Sequence, residues 1–168
     1  MRIYIQLGSN LGDRSRMLLQ AQNYISAHIG AITKKSAVYE TEPWMMDSEK
    51  WFLNMVVEVE SNLDAHSLML KMKHFEEHLG RNTGKKTIGY ESRIIDMDIL
   101  FYGSEIINSS DLVVPHPFLH ERKFVLIPMN EVNSDFVHPI FNKTIDQLLE
   151  KCNDTYQVSL YTKSKISI

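Results

Sequence analysis

Apolar positions along this chain follow two alternating rhythms. From Arg2 to Leu7 every second residue is apolar, with Ile3, Ile5 and Leu7 on one face, which predicts a strand. From about Arg14 to His28 the period lengthens: Met17, Leu18, Ala21, Tyr24 and Ile25 mark one side of a helix, and Gly30 supplies a stop. A second strand is expected from about Thr33 to Thr41 and a third from Trp51 to Ser61. Leu53, Met55, Val57 and Val59 form the core stripe of the third, while Phe52, Asn54, Val56, Glu58 and Glu60 face the other way. Asp64 caps a second helix, Ala65 to Leu79, which turns Leu68, Met72, Phe75 and Leu79 inward and has Gly80 beyond its end. Alternation returns in Arg93–Leu100, where Ile95, Met97 and Ile99, continued by Phe101, share a face.

The order strand, helix, strand, strand, helix, strand is the split pattern of a ferredoxin-like βαββαβ core, an α+β fold. Such a core sets both helices on one face of an antiparallel sheet and leaves the other for added elements or a ligand. Gly103-Ser104 turns the chain, and Glu105 to Asn108 reads as a short hairpin strand. Phe124 to Met129 is an apolar run. Thr144 with Gln147 has the form of a capping box for a last helix, Ile145 to Lys151, and Tyr156 to Tyr161 is expected to close the sheet. These additions extend the core into one α/β/α sandwich, a single domain over residues 1–168.

Composition narrows the function classes. At 43% hydrophobic and 23% charged the chain is an ordinary globular sequence, and a net charge of −3 argues against a general nucleic-acid binder. The single cysteine, Cys152, cannot form an internal disulfide, no run reaches the length of a membrane span, and the N-terminus reads as a strand and not a leader. The expectation is a cytoplasmic monomer with no membrane or nucleic-acid partner.

The candidate chemistry lies on the polar face of the Arg93–Leu100 strand. Asp96 and Asp98 share that face, roughly 6–7 Å apart by the strand rise, and two carboxylates so close need a compensating charge. Mg²⁺ suits them, because it binds through one or two carboxylates and usually a substrate phosphate. A solvent-facing strand that happens to carry two aspartates is the plain alternative. Arg81, Lys85, Lys86 and Arg93 precede the pair, and cations for phosphate beside carboxylates for metal are the components of phosphoryl transfer. The turn Gly8-Ser9-Asn10-Leu11-Gly12-Asp13 is not a Walker loop, since no Lys-Ser/Thr closes it. Phe52 and Asn54, two apart on one strand face, can stack on a flat heterocycle and read its edge; taken alone they fit a second layer of core equally well. His116 lies between Pro115 and Pro117, which stiffen its backbone.

Taken together these residues resemble the 6-hydroxymethyl-7,8-dihydropterin pyrophosphokinase family of folate biosynthesis. The resemblance rests on Leu7 to Arg14, Val38 to Pro43, Phe52-Leu53-Asn54, Leu79-Gly80-Arg81, Arg93 to Leu100, Val114 to Pro117 and Arg122 to Leu126, in the family's order. It implies transfer of pyrophosphate from ATP to the pterin hydroxymethyl group, with release of AMP. Asp96 and Asp98 would hold two Mg²⁺ ions, and Arg81 and Arg93 would stabilise charge on the transferred group. His116 and Arg122 would contact ATP phosphates, with Glu76 and Ile99 near the nucleoside. Phe52 and Phe124 would sandwich the pterin, Asn54 would read its amide-like edge with groups around Thr41, Pro43 and Trp44, and Tyr90 would serve as an aromatic lid. Tyr90-Glu91-Ser92 stands where many members have an aromatic residue and Gly-Pro before the arginine, and Asp111 where some carry a basic residue. The rival readings are another Mg-dependent D-x-D nucleotide enzyme, or a ferredoxin-like RNA-binding module, for which no aromatic signature is found.

Overall fold

The structure is a computed structural model that describes residues 1–46, 48–79 and 92–162. Its elements run β1 (Arg2–Ser9), α1 (Arg14–His28), β2 (Ala31–Lys35), β3 (Tyr39–Thr41), β4 (Phe52–Glu60), α2 (Ala65–His78) and β5 (Asp96–Tyr102). There follow β6 (Ile107–Asn108), β7 (Val113–Val114), a 3₁₀ turn (Leu119–Glu121), α3 (Lys123–Asn133), α4 (Ile145–Lys151) and β8 (Val158–Leu160). Side-chain caps begin three of the helices: Asp13, Asp64 and Thr144 accept from Arg16, Ser67 and Gln147, the last in a full capping box.

The main sheet has the order β5-β1-β4-β3-β8, with β2 paired to β4 beyond β3. β1 pairs antiparallel with β4 and β5, which gives the ferredoxin-like arrangement expected from the element order. α1 and α2 cover one face. There Ile3, Ile5 and Leu7 pack with Leu53, Met55, Val57 and Val59 from the sheet and with Leu18, Ile25, Leu68 and Met72 from the helices. α3 and α4 cover part of the other face, where Tyr4, Val56 and Phe101 meet Leu126, Met129 and Leu148.

Three sequence expectations change. The strand expected over Thr33–Thr41 is two strands, because Ser36 interrupts it: its backbone N–H donates to Val56 O (2.9 Å), while its hydroxyl, in place of a backbone carbonyl, accepts from Val56 N–H (3.0 Å). The peptide N–H of Ala37 turns away to the Glu131 carboxylate of α3. The strand expected from Arg93 begins at Asp96, and a bulge in its pairing to β1 shifts the register between Tyr4 and Ile5. Ile5 opposes Ile99 but Tyr4 opposes Phe101, so Phe101 leaves the stripe of Met97 and Ile99 and joins the opposite core. Thirdly, β6 pairs forward with β7 in a small separate sheet. The run Phe124–Met129, given no element by its pattern, is the body of α3, with Pro128 inside the helix. β8 does close the sheet, against β3.

Candidate active site

The face shared with α3 and α4 changes character along each central strand. On β1 the face reads Tyr4, Gln6, Gly8; on β4 it reads Val56, Asn54, Phe52; on β5 it reads Phe101, Asp98, Asp96. The first residue of each series is buried under the helices, and the last borders a cavity of about 370 Å³. That cavity is lined by Gln6, Gly8, Phe52, Asn54, Asp96 and Asp98 from the sheet, by Thr41, Glu42, Trp44 and Met46 after β3, and by Arg93 before β5. His116, Pro117, Phe118 and Arg122, from the segment that leads into α3, and Phe124, in the first turn of α3, close it.

One part of the cavity has hydrogen-bonded carboxamides at its wall. Asn54, 3% exposed, donates from Nδ2 to Thr41 Oγ1 (2.7 Å), and its Oδ1 accepts from Gln6 Nε2 (3.1 Å). A Cβ at Gly8 beside it would lie 2.7 Å from Asn54 Oδ1, so a side chain there would push on that carboxamide. Phe52 and Phe124 supply aromatic walls. An aromatic slot over a carboxamide selects a planar heterocycle with an amide-like edge.

The other part carries the charged side chains. Arg93 forms an ion pair with Asp96 through Nη1 and Oδ1. The buried Arg122 guanidinium stands 4.6 Å from the Trp44 ring, 5.4 Å from Phe118 and 5.7 Å from Phe124, a cation held by aromatic faces. Burial, reinforced by Arg122 and opposed by Asp96, lowers the pKa of His116 to about 4. The imidazole is therefore neutral near pH 7. Its Nδ1 accepts from the Phe118 backbone N–H (3.3 Å), which leaves the proton on Nε2 as a hydrogen-bond donor. The sequence motif around it includes a cis Val114–Pro115 peptide.

The glycine-rich turn after β1 anchors the arginine. Asn10, buried, donates its backbone N–H to Arg93 O (3.0 Å) and accepts the Arg93 N–H at Oδ1 (2.6 Å). Its Nδ2 reaches Ser92 Oγ (3.1 Å) and Lys50 O (3.2 Å), so one side chain ties the segments before β4 and before β5 to the end of β1. Arg14 adds a bond to Trp51 O (2.8 Å) and an ion pair with Glu40 (2.8 Å).

A family model for 7,8-dihydro-6-hydroxymethylpterin-pyrophosphokinase matches residues 4–134. The chain belongs to that family. The 2-amino-4-hydroxy-6-hydroxymethyldihydropteridine pyrophosphokinase of Aquifex aeolicus is 37% identical over 145 residues, covering 86% of this chain and 88% of that protein. The enzyme of the same name from Methylorubrum extorquens is 36% identical over 151 residues, 89% of this chain and 92% of that one. The folic acid synthesis protein fol1 of Pneumocystis carinii is 39% identical over 152 residues, but this chain spans only 20% of its length. Among solved structures, wild-type Plasmodium falciparum HPPK-DHPS with SDX-DHP shares the fold at a TM-score of 0.73 and 17% identity, over 89% of this chain and 44% of that one.

The structure gathers most of the residues singled out from the sequence. Thr41, Trp44, Phe52, Asn54, Arg93, Asp96, Asp98, His116, Arg122 and Phe124 all line the one cavity. Pro43, by contrast, is buried and not part of the lining. Glu76 sits apart, buried on α2, where Oε1 accepts the Met97 N–H (2.7 Å). The Ile99 side chain lies in the core under α1 and α2, so what it can offer a nucleotide is backbone. Asp111 is exposed and away from the lining. Arg81 and Tyr90 lie outside the described residues. Of the lining, Gln6, Gly8, Glu42, Met46, Pro117 and Phe118 were not among the residues expected at the site. Alternation was there to find the first two, since they are the polar and glycine positions opposite the Ile5/Leu7 stripe.

Among the described residues no three His, Cys, Asp or Glu side chains converge as a metal cluster. Two carboxylates on one strand face suit Mg²⁺ carried on phosphates, because that ion keeps water and phosphate oxygens in most of its coordination positions. The donor set fits such an ion. A cation already neighbours it in the form of Arg93 on Asp96.

Proposed function

We propose that this chain transfers the pyrophosphoryl group of ATP to the hydroxymethyl oxygen of 6-hydroxymethyl-7,8-dihydropterin, giving the pterin pyrophosphate and AMP in folate biosynthesis. The observation that carries this is the meeting of two surfaces in a single cavity: the aromatic, carboxamide-floored slot and the Arg93, His116 and Arg122 group beside Asp96 and Asp98. The pterin would lie between Phe52 and Phe124 with its amide-like edge on Asn54, near Thr41, Pro43 and Trp44, and Tyr90 would cover it. ATP would lie along the β5 side, its phosphates held by Arg81, Arg93, His116 and Arg122, with Glu76 and the Ile99 backbone near the nucleoside. Two Mg²⁺ ions held by Asp96 and Asp98 would offset phosphate charge and orient the transferred group.

The protein's part is positioning and charge compensation. Arg93, anchored at its backbone by Asn10, offers its guanidinium to the transferred group and releases Asp96 as it does so. His116 donates from Nε2 to a phosphate oxygen, and its low pKa with Nδ1 already occupied makes it a poor proton acceptor. Arg122 adds positive charge at the aromatic wall. The protein acts as a monomer in the cytoplasm on this reading; among the described residues no helix is long and apolar enough to cross a membrane.

Isothermal titration of 6-hydroxymethylpterin, with and without a non-hydrolysable ATP analogue and Mg²⁺, tests the reading. Pterin binding that tightens with the nucleotide is the expected result, since the two ligands share one cavity and its walls. Folded protein that binds no pterin under either condition would contradict it.

A further inference from the structure

Gln6 is a polar residue at the centre of the sheet. It is 5% exposed, stands opposite Val56 on β4 and Asp98 on β5, and touches the cavity. Both sides of its position are otherwise committed to core or to acidic chemistry, so a long carboxamide there calls for a reason. Its Nε2 donates to Asn54 Oδ1, and Asn54 Nδ2 donates on to Thr41 Oγ1. We infer that Gln6 is a positioning and specificity-determining residue: it fixes which way round the Asn54 carboxamide faces the heterocycle. The inference rests on the pterin reading of the slot given above.

The two ends of an amide differ in chemistry far more than in shape. Oxygen and NH₂ are nearly the same size, so packing alone does not choose between them, while a heterocycle edge distinguishes donor from acceptor completely. Thr41 cannot make the choice, because a hydroxyl accepts from NH₂ or donates to oxygen with equal ease. Among the described residues Gln6 supplies the donor to Asn54 Oδ1. Gln6, Asn54 and Thr41 thus form one relay, in which Gln6 Nε2 directs Asn54 Oδ1 toward β1 and leaves Nδ2 to Thr41. Without the Gln6 amide, Asn54 is held by Thr41 alone, and both orientations become populated. Gly8 leaves the space that lets Oδ1 sit toward β1 in the orientation seen.

Because Gln6 would act through Asn54, its effect should vanish when Asn54 is gone. The test is titration of 6-hydroxymethylpterin, with ATP analogue and Mg²⁺ present, into wild type, Gln6→Met, Asn54→Ala and the double variant. Gln6→Met keeps length and volume and removes the donor. It should weaken pterin binding about 3- to 10-fold, the size of one hydrogen bond, while shifting affinity for the ATP analogue less than about twofold. In the Asn54→Ala background the same change should cost nothing further. An equal second loss in the double variant, or wild-type affinity in Gln6→Met, would overturn the inference. A merely structural role would move both ligands together. The Asn54 side-chain amide resonances give an arm that needs no pterin: their cross-relaxation to the Thr41 methyl should fall in Gln6→Met, and an unchanged pattern overturns the inference. If wild type itself binds no pterin, the slot reading fails, and the resonances still decide whether Gln6 orders Asn54.

Discussion

Two halves of one sheet face can be compared within this molecule. Where β1, β4 and β5 present Tyr4, Val56 and Phe101, the face disappears beneath α3 and α4, and even its acid is satisfied. Glu58, 3% exposed, accepts from Tyr4 Oη (2.9 Å) and Thr33 Oγ1 (2.8 Å) and faces Arg2 at 3.7 Å. Two to five residues away along the same strands the face presents Gly8, Asn54, Phe52, Asp98 and Asp96, and a cavity stands in place of a helix. One backbone scaffold supports both. What differs is whether a side chain gains by leaving water: three large apolar groups do, whereas carboxylates and carboxamides lose unless a partner arrives. In the covered half the acid is paired inside the core; in the open half Asp96 is paired with Arg93, and Asn54 with Gln6 and Thr41, at the wall of the cavity.

Changes in the two halves should therefore separate activity from stability. The largest effect is expected from Asp98→Ala, which should lower turnover by about 10²–10³-fold, because that carboxylate is one of the two proposed to hold the Mg²⁺ that would offset phosphate charge. Its thermal midpoint should stay close to wild type, as calorimetry would show; a large drop would mean that Asp98 is structural. Phe101→Ala is the converse. It should cost roughly 3–5 kcal/mol of stability, measured by urea unfolding, while the folded fraction keeps its pterin affinity. Gly8→Ala stands between the two, because the new Cβ pushes on Asn54 Oδ1 and not on backbone. Titration should show pterin affinity down about tenfold, the loss of roughly one good hydrogen bond, with little change in unfolding.

The smallest effect is a pH dependence, and each half holds a histidine whose pKa is lowered. Burial lowers His138, packed edge-on against Phe101, to about 4, with His120 adding to the shift, and His116 is likewise lowered to about 4. Both have an unfolded value near 6.5, so between pH 6.5 and 4 the unfolded chain binds more protons than the folded one. Stability from both is complete above about pH 6.5 and falls as the pH drops through that window. Urea midpoints at successive pH values should show this fall. An ATP analogue should reduce it for His116 alone, since phosphate favours the protonated ring, and His138→Phe should leave that ligand-sensitive part intact.

Much of this division is legible in the sequence, because strand alternation is a strict period of two. Residue parity alone puts Asp96 with Asp98 and Phe52 with Asn54 on common faces. Other features depend on contacts between distant segments. The break at Ser36 exists because one hydroxyl takes the place of a carbonyl across the sheet, and no local pattern encodes that. The bulge that moves Phe101 to the other core is hidden because Ile99, Leu100, Phe101 and Tyr102 are apolar on both faces. α3 escapes notice for a related reason: Pro128 argues against a helix interior, and Val125, Leu126, Pro128, Met129 and Val132 are all buried. The Asn10 clamp on Arg93 links residues 83 apart and is equally out of reach.

The central claim is that the open half joins a heterocycle slot to a pyrophosphate-transfer site. The most direct test follows the phosphorus of ATP by NMR in the presence of Mg²⁺ and 6-hydroxymethyl-7,8-dihydropterin. AMP and a pterin pyrophosphate in equal amounts, with AMP formation dependent on the pterin, are the predicted result. Appearance of ADP with a pterin monophosphate, or ATP turnover indifferent to the pterin, would contradict it.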